Sequence, residues 1–197
     1  MSTLDERLLM RLPEEAQPLM RFVCTRMVHS YKPVLTRIFL RRLPRLTFPF
    51  SEVAEEFVAF YRERIEHGLP VERAGCPFVT KHGLDEERAI ETAKDVLRHV
   101  FCRAHDYACI GAGMCMLSLE SGWTALCDQL GRRIAADLMN AALKRFYSRI
   151  LDGGEAIYVQ QEGERQYGAG ELVFHLSDTD DEQPLLVLRA DDDEVSE

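Results

Sequence analysis

The 197-residue sequence lacks any apolar run long enough to span a bilayer. Its longest clean apolar stretch, residues 109–117, is short and interrupted by glycine, whereas a membrane-spanning helix needs about 20 apolar residues. The acidic start at Asp5 and Glu6 is also unlike the basic start of a signal peptide. We therefore expect a cytoplasmic protein with no membrane partner.

The sequence also lacks the common catalytic motifs. It has no Gly-x-x-x-x-Gly-Lys phosphate loop, no Gly-x-Ser-x-Gly nucleophile elbow and no His-Glu-x-x-His zinc motif. The six histidines are scattered, and only His175 falls on a predicted strand, so a histidine-rich nuclease hairpin is not indicated. The last lysine is Lys144, in a predicted helix, so the Glu-x-Lys strand of a carboxylate nuclease is missing too. These absences favour a non-catalytic protein without a cofactor.

The cysteines lack the Cys-x2-Cys pairs that mark many metal sites. A disulfide framework is typical of small secreted chains with a poor core, so we expect reduced, buried thiols instead. One cluster still places four soft ligands within a short stretch and leaves a cysteine-ligated metal open as an alternative. Its members are Cys102, His105, Cys109 and Cys115.

Hydrophobic spacing predicts a mainly α fold with a small β region at the end. Apolar residues recur three or four apart through most of residues 1–153, which predicts a multi-helix domain divided by a loop at 68–83. Residues 107–131, apolar and rich in glycine, are expected to form short buried helices. Residues 154–190 change to β-rich runs at 156–161, 171–176 and 184–190, which predicts a three-strand meander packed on the helices. Residues 191–197 read as an acidic tail.

Two predicted helices carry clear inward stripes. The third helix, residues 31–43, is expected to begin after a Ser30 cap, and the fourth after a Ser51 cap. The third helix should bury Val34, Leu35, Ile38 and Phe39, and the fourth Val53, Phe57, Phe60, Tyr61 and Ile65.

Charge is unevenly distributed along the chain. Residues 1–50 carry nine Lys/Arg against four Asp/Glu, a balance of +5, whereas residues 151–197 carry two against 14, a balance of −12. Such asymmetry hints at nucleic-acid or membrane contact at the basic end. The charge asymmetry by itself does not identify the kind of partner.

The most distinctive stretch is residues 21–50, which hold seven Lys/Arg and no Asp or Glu; we call it the basic segment. Arginines four apart share one face of a continuing helix, and their planar forks suit phosphate oxygens. The order helix, proline-marked turn, helix is also compatible with a helix-turn-helix core. An equally simple interpretation is a solvated basic face answered by the acidic helix 52–66 or by the tail. The candidate nucleic-acid-binding residues are Arg26, Lys32, Arg37, Arg41, Arg42 and Arg45.

Residues 30–73 carry a further pattern: "SYKPVL", then a Phe-x-x-Phe-Tyr-x-x-Arg helix and "GLPVE". This stretch resembles a helical module that accompanies nucleases and helicases in bacterial restriction and phage-defence systems. The resemblance implies an architecture and a context, with a larger nuclease or helicase as partner, and no active site. The matching positions are Ser30, Tyr31, Lys32, Val34, Leu35, Phe57, Phe60, Tyr61, Arg64 and Gly68.

Three functions follow from these patterns. The first is a non-catalytic subunit of a defence system that binds DNA or RNA through the basic segment. The second is a protein–protein adaptor whose acidic tail engages a basic partner. The third is a metal protein that uses the cysteine cluster.

Overall fold

A computed structural model describes most of the chain, which divides into two compact units. The first unit is Met1–Gln160 and the second is Gln161–Glu197. The described residues are 3–25, 27–103, 106–111, 115–120, 122–159, 171–174 and 186–189.

Helices make up most of the first unit, as the sequence predicts. Asp85 and Asp128 each cap a helix, because their carboxylates accept the backbone N–H groups of Arg88 and Gly131. The helices of the described residues are α1 (Thr3–Leu9), α2 (Gln17–Cys24), α3 (Tyr31–Arg42), α4 (Phe50–Glu66), α5 (Glu86–Val96) and α6 (Gln129–Asp152). Short 3-10 turns occur at Glu14–Ala16 and Thr124–Leu126, and a π-helical turn, Leu97–Cys102, continues α5.

Short antiparallel strands complete the described structure. Their bounds are β1 (Thr47–Pro49), β2 (Glu72–Arg73), β3 (Val79–Thr80), β4 (Gly83–Leu84), β5 (Ala108–Ile110), β6 (Met116–Leu119), β7 (Ala156–Ile157), β8 (Glu171–Phe174) and β9 (Leu186–Arg189). The largest sheet has the order β1–β6–β5, with Phe48 opposite Leu117 and Ile110 opposite the same residue. The remaining strands pair as β2 with β7, β3 with β4 and β8 with β9.

The central helix of the first unit is α3, which packs against α2, α4, α5 and α6. Thr36 and Leu40, which face away from the predicted inward stripe, are buried as well. Only a narrow strip of α3 therefore reaches solvent, and it holds arginines. The predicted stripe is confirmed as buried: Val34, Leu35, Ile38 and Phe39.

The predicted stripe of α4 is also confirmed. Val53, Phe57 and Tyr61 are fully buried, and Phe60 and Ile65 are half-buried against the same core. The helix phase inferred from the spacing is therefore correct.

Around residue 30 the predicted end of the second helix was wrong, and so was the predicted side-chain cap of the third, although that helix begins at Tyr31 as expected. The helix α2 ends at Cys24, well before residues 29–30, because Thr25 takes up extended backbone with φ −103° and ψ 153°. Ser30 precedes α3 but does not cap it, since its hydroxyl donates to the buried Glu72 carboxylate 42 residues further on. Ser30 thus bonds to a residue far away in the sequence instead of to the first turn of its own helix.

The connection between α3 and α4 also differs from a simple turn. The helix–turn–helix order is present, but the turn is a longer connector, residues 43–49, that contains β1. A helix-turn-helix unit normally has a turn of three or four residues. The predicted cap Ser51 lies inside α4, which begins at Phe50 directly after β1.

The prediction of short buried helices at residues 107–131 was wrong. The described part of this stretch forms β5, β6 and a 3-10 turn. Burial alternates along β6, with Leu117 and Leu119 buried and Met116 exposed, because one face of the sheet covers the core. Apolar composition alone does not distinguish such strands from buried helix.

The C-terminal β region is divided between the two units. The first predicted strand, seen as β7, pairs with β2 rather than with its successor, so the division falls after residue 160 instead of 153. The other two predicted strands appear as β8 and β9, paired from Glu171 opposite Arg189. The acidic tail, residues 191–197, lies outside the described residues.

Candidate functional site

The basic segment runs from α2 through α3 into the connector before α4. Arg37, Arg41 and Arg42 lie on α3, whereas Arg45 follows it, because the helix ends at Arg42. The helix therefore does not continue far enough to align Arg45 with the other two members of the predicted row. Arg26 lies outside the described residues.

Lys32 is engaged within the protein. Its Nζ donates to the carbonyl oxygens of Thr25 at 2.6 Å and Phe22 at 3.0 Å, at the C-terminal end of α2. The same Nζ lies 4.7 Å from the centroid of the Phe22 ring, and burial lowers the pKa of Lys32. A cation at this end of a helix is stabilised by the helix dipole. Lys32 therefore joins α2 to α3.

Arg42 and Arg45 are paired with acids of α4. An Nη atom of Arg42 lies 2.5 Å from Glu56, and only 11% of the Arg42 side chain is exposed. Arg45 donates from both Nη atoms to the two carboxylate oxygens of Glu52, each at 3.2 Å. The acidic helix thus neutralises the basic segment at these two positions, as the alternative interpretation of a solvated basic face predicted.

Arg37 and Arg41 occupy the solvent-facing strip of α3. Arg41 is 56% exposed, and its closest acid, Glu56, is 3.8 Å away. Arg37 is half-buried, and among the described residues it has no hydrogen bond and no ion pair. Burial, with the charge of Arg41 adding, lowers the pKa of Arg37 to about 10, so its guanidinium remains charged at neutral pH.

Arg64 of α4 is buried, which was not expected from its charge. It is only 5% exposed, its Nε donates to the carbonyl oxygen of Pro70 at 2.8 Å, and its Cζ lies 3.6 Å from the centroid of the Tyr147 ring. Its buried Nη2 has no hydrogen-bond partner in the described structure. The positive charge of Arg64 also contributes to the lowered pKa of Arg37.

A second polar cluster surrounds Glu72, which is fully buried. Its carboxylate accepts hydrogen bonds from the backbone N–H of Ser30 at 3.1 Å, the Ser30 hydroxyl at 2.5 Å and the backbone N–H of Arg73 at 2.9 Å. Because the Ser30 hydroxyl donates to Glu72, it accepts from the Tyr61 hydroxyl at 2.8 Å. This network joins the start of α3 to β2 and α4.

His29 lies at the edge of the Glu72 network. Its Nδ1 is 3.5 Å from the carboxylate, and its ring stacks on Tyr31 with centroids 4.7 Å apart. A hydrolytic serine needs a base within reach of its hydroxyl. His29 faces Glu72, and the only hydroxyl proton of Ser30 is already donated there, so the arrangement serves structure rather than nucleophilic attack.

The cysteine cluster is only partly brought together. Cys102 and Cys109 line one cleft of about 510 Å³ with Asp106 and Glu120, but Cys115 does not line it. Burial raises the pKa of Cys102, and Cys109 adds to the rise. His105 lies outside the described residues. Within the described ranges, no three His, Cys, Asp or Glu side chains are placed to hold a metal ion.

The expectation of buried thiols holds for some cysteines and is wrong for others. All six are reduced; Cys24 and Cys76 are buried, Cys102 and Cys127 are half-buried, and Cys109 and Cys115 are exposed. The two exposed thiols lie in or next to β5 and β6. The sequence had predicted buried helices in this stretch.

Comparison with known proteins gives no indication of what these sites do. No protein-family profile, curated protein or solved structure matches the chain. Across the described part of the chain, none of the helices is both long and apolar enough to cross a membrane.

Proposed function

We propose that this protein is a non-catalytic adaptor that binds another protein, with its acidic C-terminal unit engaging a basic partner surface. The observation that carries the proposal is the neutralisation of the basic segment by acids of the same chain. Arg42 is paired with Glu56 and Arg45 with Glu52, and Lys32 is bound to backbone carbonyls. Half of the candidate phosphate-binding cations are therefore already in use.

The charge balance of the two units supports an adaptor. Residues 161–197 carry 12 Asp/Glu against two Lys/Arg, a balance of −10, which leaves residues 1–160 at +1. A unit this acidic repels a polyanion such as nucleic acid and attracts a basic protein surface. The attraction chiefly raises the rate of association. A basic protein partner fits this charge distribution better than nucleic acid does.

The partner that we propose is a larger nuclease or helicase of a bacterial restriction or phage-defence system, as the resemblance implies. What supports it is the connectivity of residues 30–73: Tyr61 and Glu72 both bond to Ser30, and Arg64 bonds to the backbone at Pro70. Ser30, Tyr61 and Arg64 are matching positions, and their bonds link them to other residues of the same stretch. Enzymes that handle DNA also carry basic surfaces, which an acidic unit would recognise.

The experiment first inspects the genes that flank this one for a nuclease or helicase, and then uses that protein and the full chain, both purified. Calorimetry compares the wild type with a variant in which the acids at residues 191–194 are changed to Asn and Gln. We expect a saturable complex that weakens with added salt, and roughly a tenfold loss of affinity in the variant, because several charge contacts are removed together. A matched control neutralises four exposed acids of the first unit: Glu14, Glu15, Glu55 and Glu87.

The control decides what the result means. A loss confined to the tail variant supports the acidic unit as the contact region. Equal affinity in the wild type and the tail variant overturns that role. Absence of any complex, together with salt-dependent DNA binding by the chain alone, overturns the adaptor itself.

Nucleic-acid binding is the second candidate, and the strip of α3 formed by Arg37 and Arg41 favours it. Arg37 has no acidic partner among the described residues, and the exposed Arg41 has only an ion pair with Glu56 at 3.8 Å, so both can reach a phosphate. The test changes Arg37, Arg41 and Arg45 to Glu and measures binding to duplex DNA and to RNA across a salt series. If Arg37 and Arg41 contact phosphate, losing them should flatten the log–log salt slope by about two units. The control reverses three exposed arginines elsewhere: Arg7, Arg11 and Arg88.

A further inference from the structure

The cleft beside β5 is lined by two thiols. Cys102, at the end of the π-helical turn, and Cys109, in β5, both border its volume of about 510 Å³. Cys102 is half-buried and Cys109 is exposed, and both are reduced. Two cysteines that share a cleft can react with each other as well as with a reagent, so their relative placement decides what the cleft can do.

Backbone hydrogen bonds hold Cys102 against β5. The N–H of Tyr107 donates to the carbonyl oxygen of Phe101 at 2.8 Å, and the N–H of Asp106 donates to the carbonyl oxygen of Cys102 at 3.1 Å. Asp106 takes up left-handed backbone with φ 52°, immediately before the chain enters β5. The π-helical turn therefore packs alongside the strand that follows it.

The outer edge of β5 faces the Cys102 sulfur. In the described structure β5 is an outer strand of its sheet, and Gly111 donates inward to Met116 of β6. Inward and outward N–H groups alternate along an antiparallel strand, so the N–H of Ile110 points away from β6. Burial raises the pKa of Cys102, the nearby Cys109 adds to the rise, and a hydrogen bond from the Ile110 N–H opposes it. The Cys102 sulfur thus lies beside the residue that follows Cys109.

Cys115 is too far from Cys109 to form a pair with it. Cys109 lies opposite Ser118, and Cys115 precedes Ser118 by three residues on a ladder that extends to Phe50. At about 3.4 Å per residue the two cysteines are roughly 10 Å apart along the strands, whereas a disulfide needs Cα atoms within about 7 Å. Cys115 also does not line the cleft, so it is an internal control.

We propose that Cys102 and Cys109 form a redox-active dithiol that reacts with small disulfides by thiol–disulfide exchange. The exposed Cys109 thiolate attacks one sulfur of the small disulfide, which forms a mixed disulfide and releases one small thiol. The Cys102 thiolate then attacks the Cys109 sulfur and releases the second small thiol. Two protein thiols are oxidised to one disulfide, the small disulfide is reduced to two thiols, and the two protein thiol protons end on the released thiols.

Exposure and charge set the order of attack and the preferred reagent. Cys109 reacts first because it is exposed, whereas burial makes the thiolate of Cys102 scarcer. Arg98 lines the cleft together with Asp106 and Glu120, so acids outnumber bases there. We therefore expect neutral and cationic disulfides to react faster than anionic ones. The reaction is independent of the proposed adaptor function, which depends on the acidic C-terminal unit.

The experiment treats the reduced full chain with cystamine, a cationic disulfide, near neutral pH. Remaining thiols are then blocked with N-ethylmaleimide, and tryptic peptides are mapped by mass spectrometry without reduction. Trypsin cuts after Arg103, so a bridge between Cys102 and Cys109 joins two peptides, and fragmentation locates it. We expect this bridge in the wild type, whereas Cys115 should keep a stable mixed disulfide.

Variants test the second step. Cys102→Ser should raise the mixed disulfide on Cys109 roughly tenfold or more, because the intramolecular thiol that removes it at high effective concentration is gone. Cys115→Ser is the matched control and should leave the bridge unchanged. If Cys102→Ser does not fold, the comparison of Cys109 with Cys115 in the wild type decides by itself.

Oxidised glutathione, an anionic disulfide, tests the charge preference. It should form the bridge several-fold more slowly than cystamine, because the acids of the cleft repel it. Equal rates with the two reagents overturn the charge preference. A mixed disulfide that persists on Cys109 as long as on Cys115 in the wild type overturns the dithiol itself.

Discussion

The Arg42 guanidinium lies 2.5 Å from a carboxylate oxygen of Glu56, and its Cζ lies 5.3 Å from the centroid of the Phe48 ring. This one contact joins the last turn of α3 to α4 across the connector that contains β1. Because Arg42 is paired in this way, it is not available to phosphate, although the sequence suggested it as a phosphate-binding residue.

The first prediction concerns the stability that this pair contributes. Arg42→Met should lower the free energy of unfolding by about 1–2 kcal/mol, because the pair is largely shielded from water and bonded to a charged acceptor. A double-mutant cycle with Glu56→Gln, followed by urea unfolding, should give a coupling energy of about 1 kcal/mol. Arg45→Met, which breaks a more exposed pair, should cost no more than about 0.5 kcal/mol. Equal losses at the two arginines would contradict the prediction.

The second prediction tests the neutralisation of the basic segment. Changing Glu52 and Glu56 together to Gln should release Arg42 and Arg45 from their acidic partners and create salt-sensitive, sequence-independent DNA binding. Filter binding at low salt is the measurement. The exposed acids Glu14 and Glu15, changed to Gln, give the same shift in net charge and should produce a smaller gain. Equal gains would show that net charge alone matters.

The third prediction concerns the buried carboxylate of Glu72. Glu72→Ala should destabilise the protein by about 2–4 kcal/mol, because the donors of Ser30 and Arg73 lose their acceptor in a buried site. Thermal and urea unfolding measure the change. Glu63→Ala, at an exposed position, should stay within about 0.5 kcal/mol of the wild type. A similar small effect at Glu72 would contradict the network.

The fourth prediction concerns thiol reactivity in the native protein. Cys109 and Cys115 are exposed, whereas burial raises the pKa of Cys24 to about 11 and also raises that of Cys76. Near neutral pH a brief iodoacetamide treatment should therefore modify the two exposed cysteines first, because the thiolate is the nucleophile. Peptide mass spectrometry identifies the order. Early modification of Cys24 would indicate that α2 opens readily.

The fifth prediction is a loss of stability at alkaline pH. Burial raises the folded-state pKa values of Tyr31, Tyr61 and Tyr147 well above the ordinary value of about 10. The unfolded chain therefore loses these protons first, so the stability that the three phenols contribute is fully present below about pH 10 and is lost as the pH rises further. Unfolding free energies measured across this range should decline, and Tyr147→Phe should make the decline shallower. A flat profile would contradict the burial of the three phenols.

Local spacing determined much of the architecture. The stripes of α3 and α4 follow from apolar residues three and four apart. These features depend on neighbours within one or two turns, which a sequence displays directly. The two later strands, β8 and β9, likewise lie within their predicted runs.

Only the tertiary structure decided the state of the charged and polar residues. Ser30 bonds to Glu72 rather than to its own helix, Arg64 is buried against Tyr147, and β7 pairs with β2. Each of these relationships joins residues far apart in the chain. Whether a cation is paired, shielded or available depends on the surface folded against it, so charge order along the chain cannot reveal it.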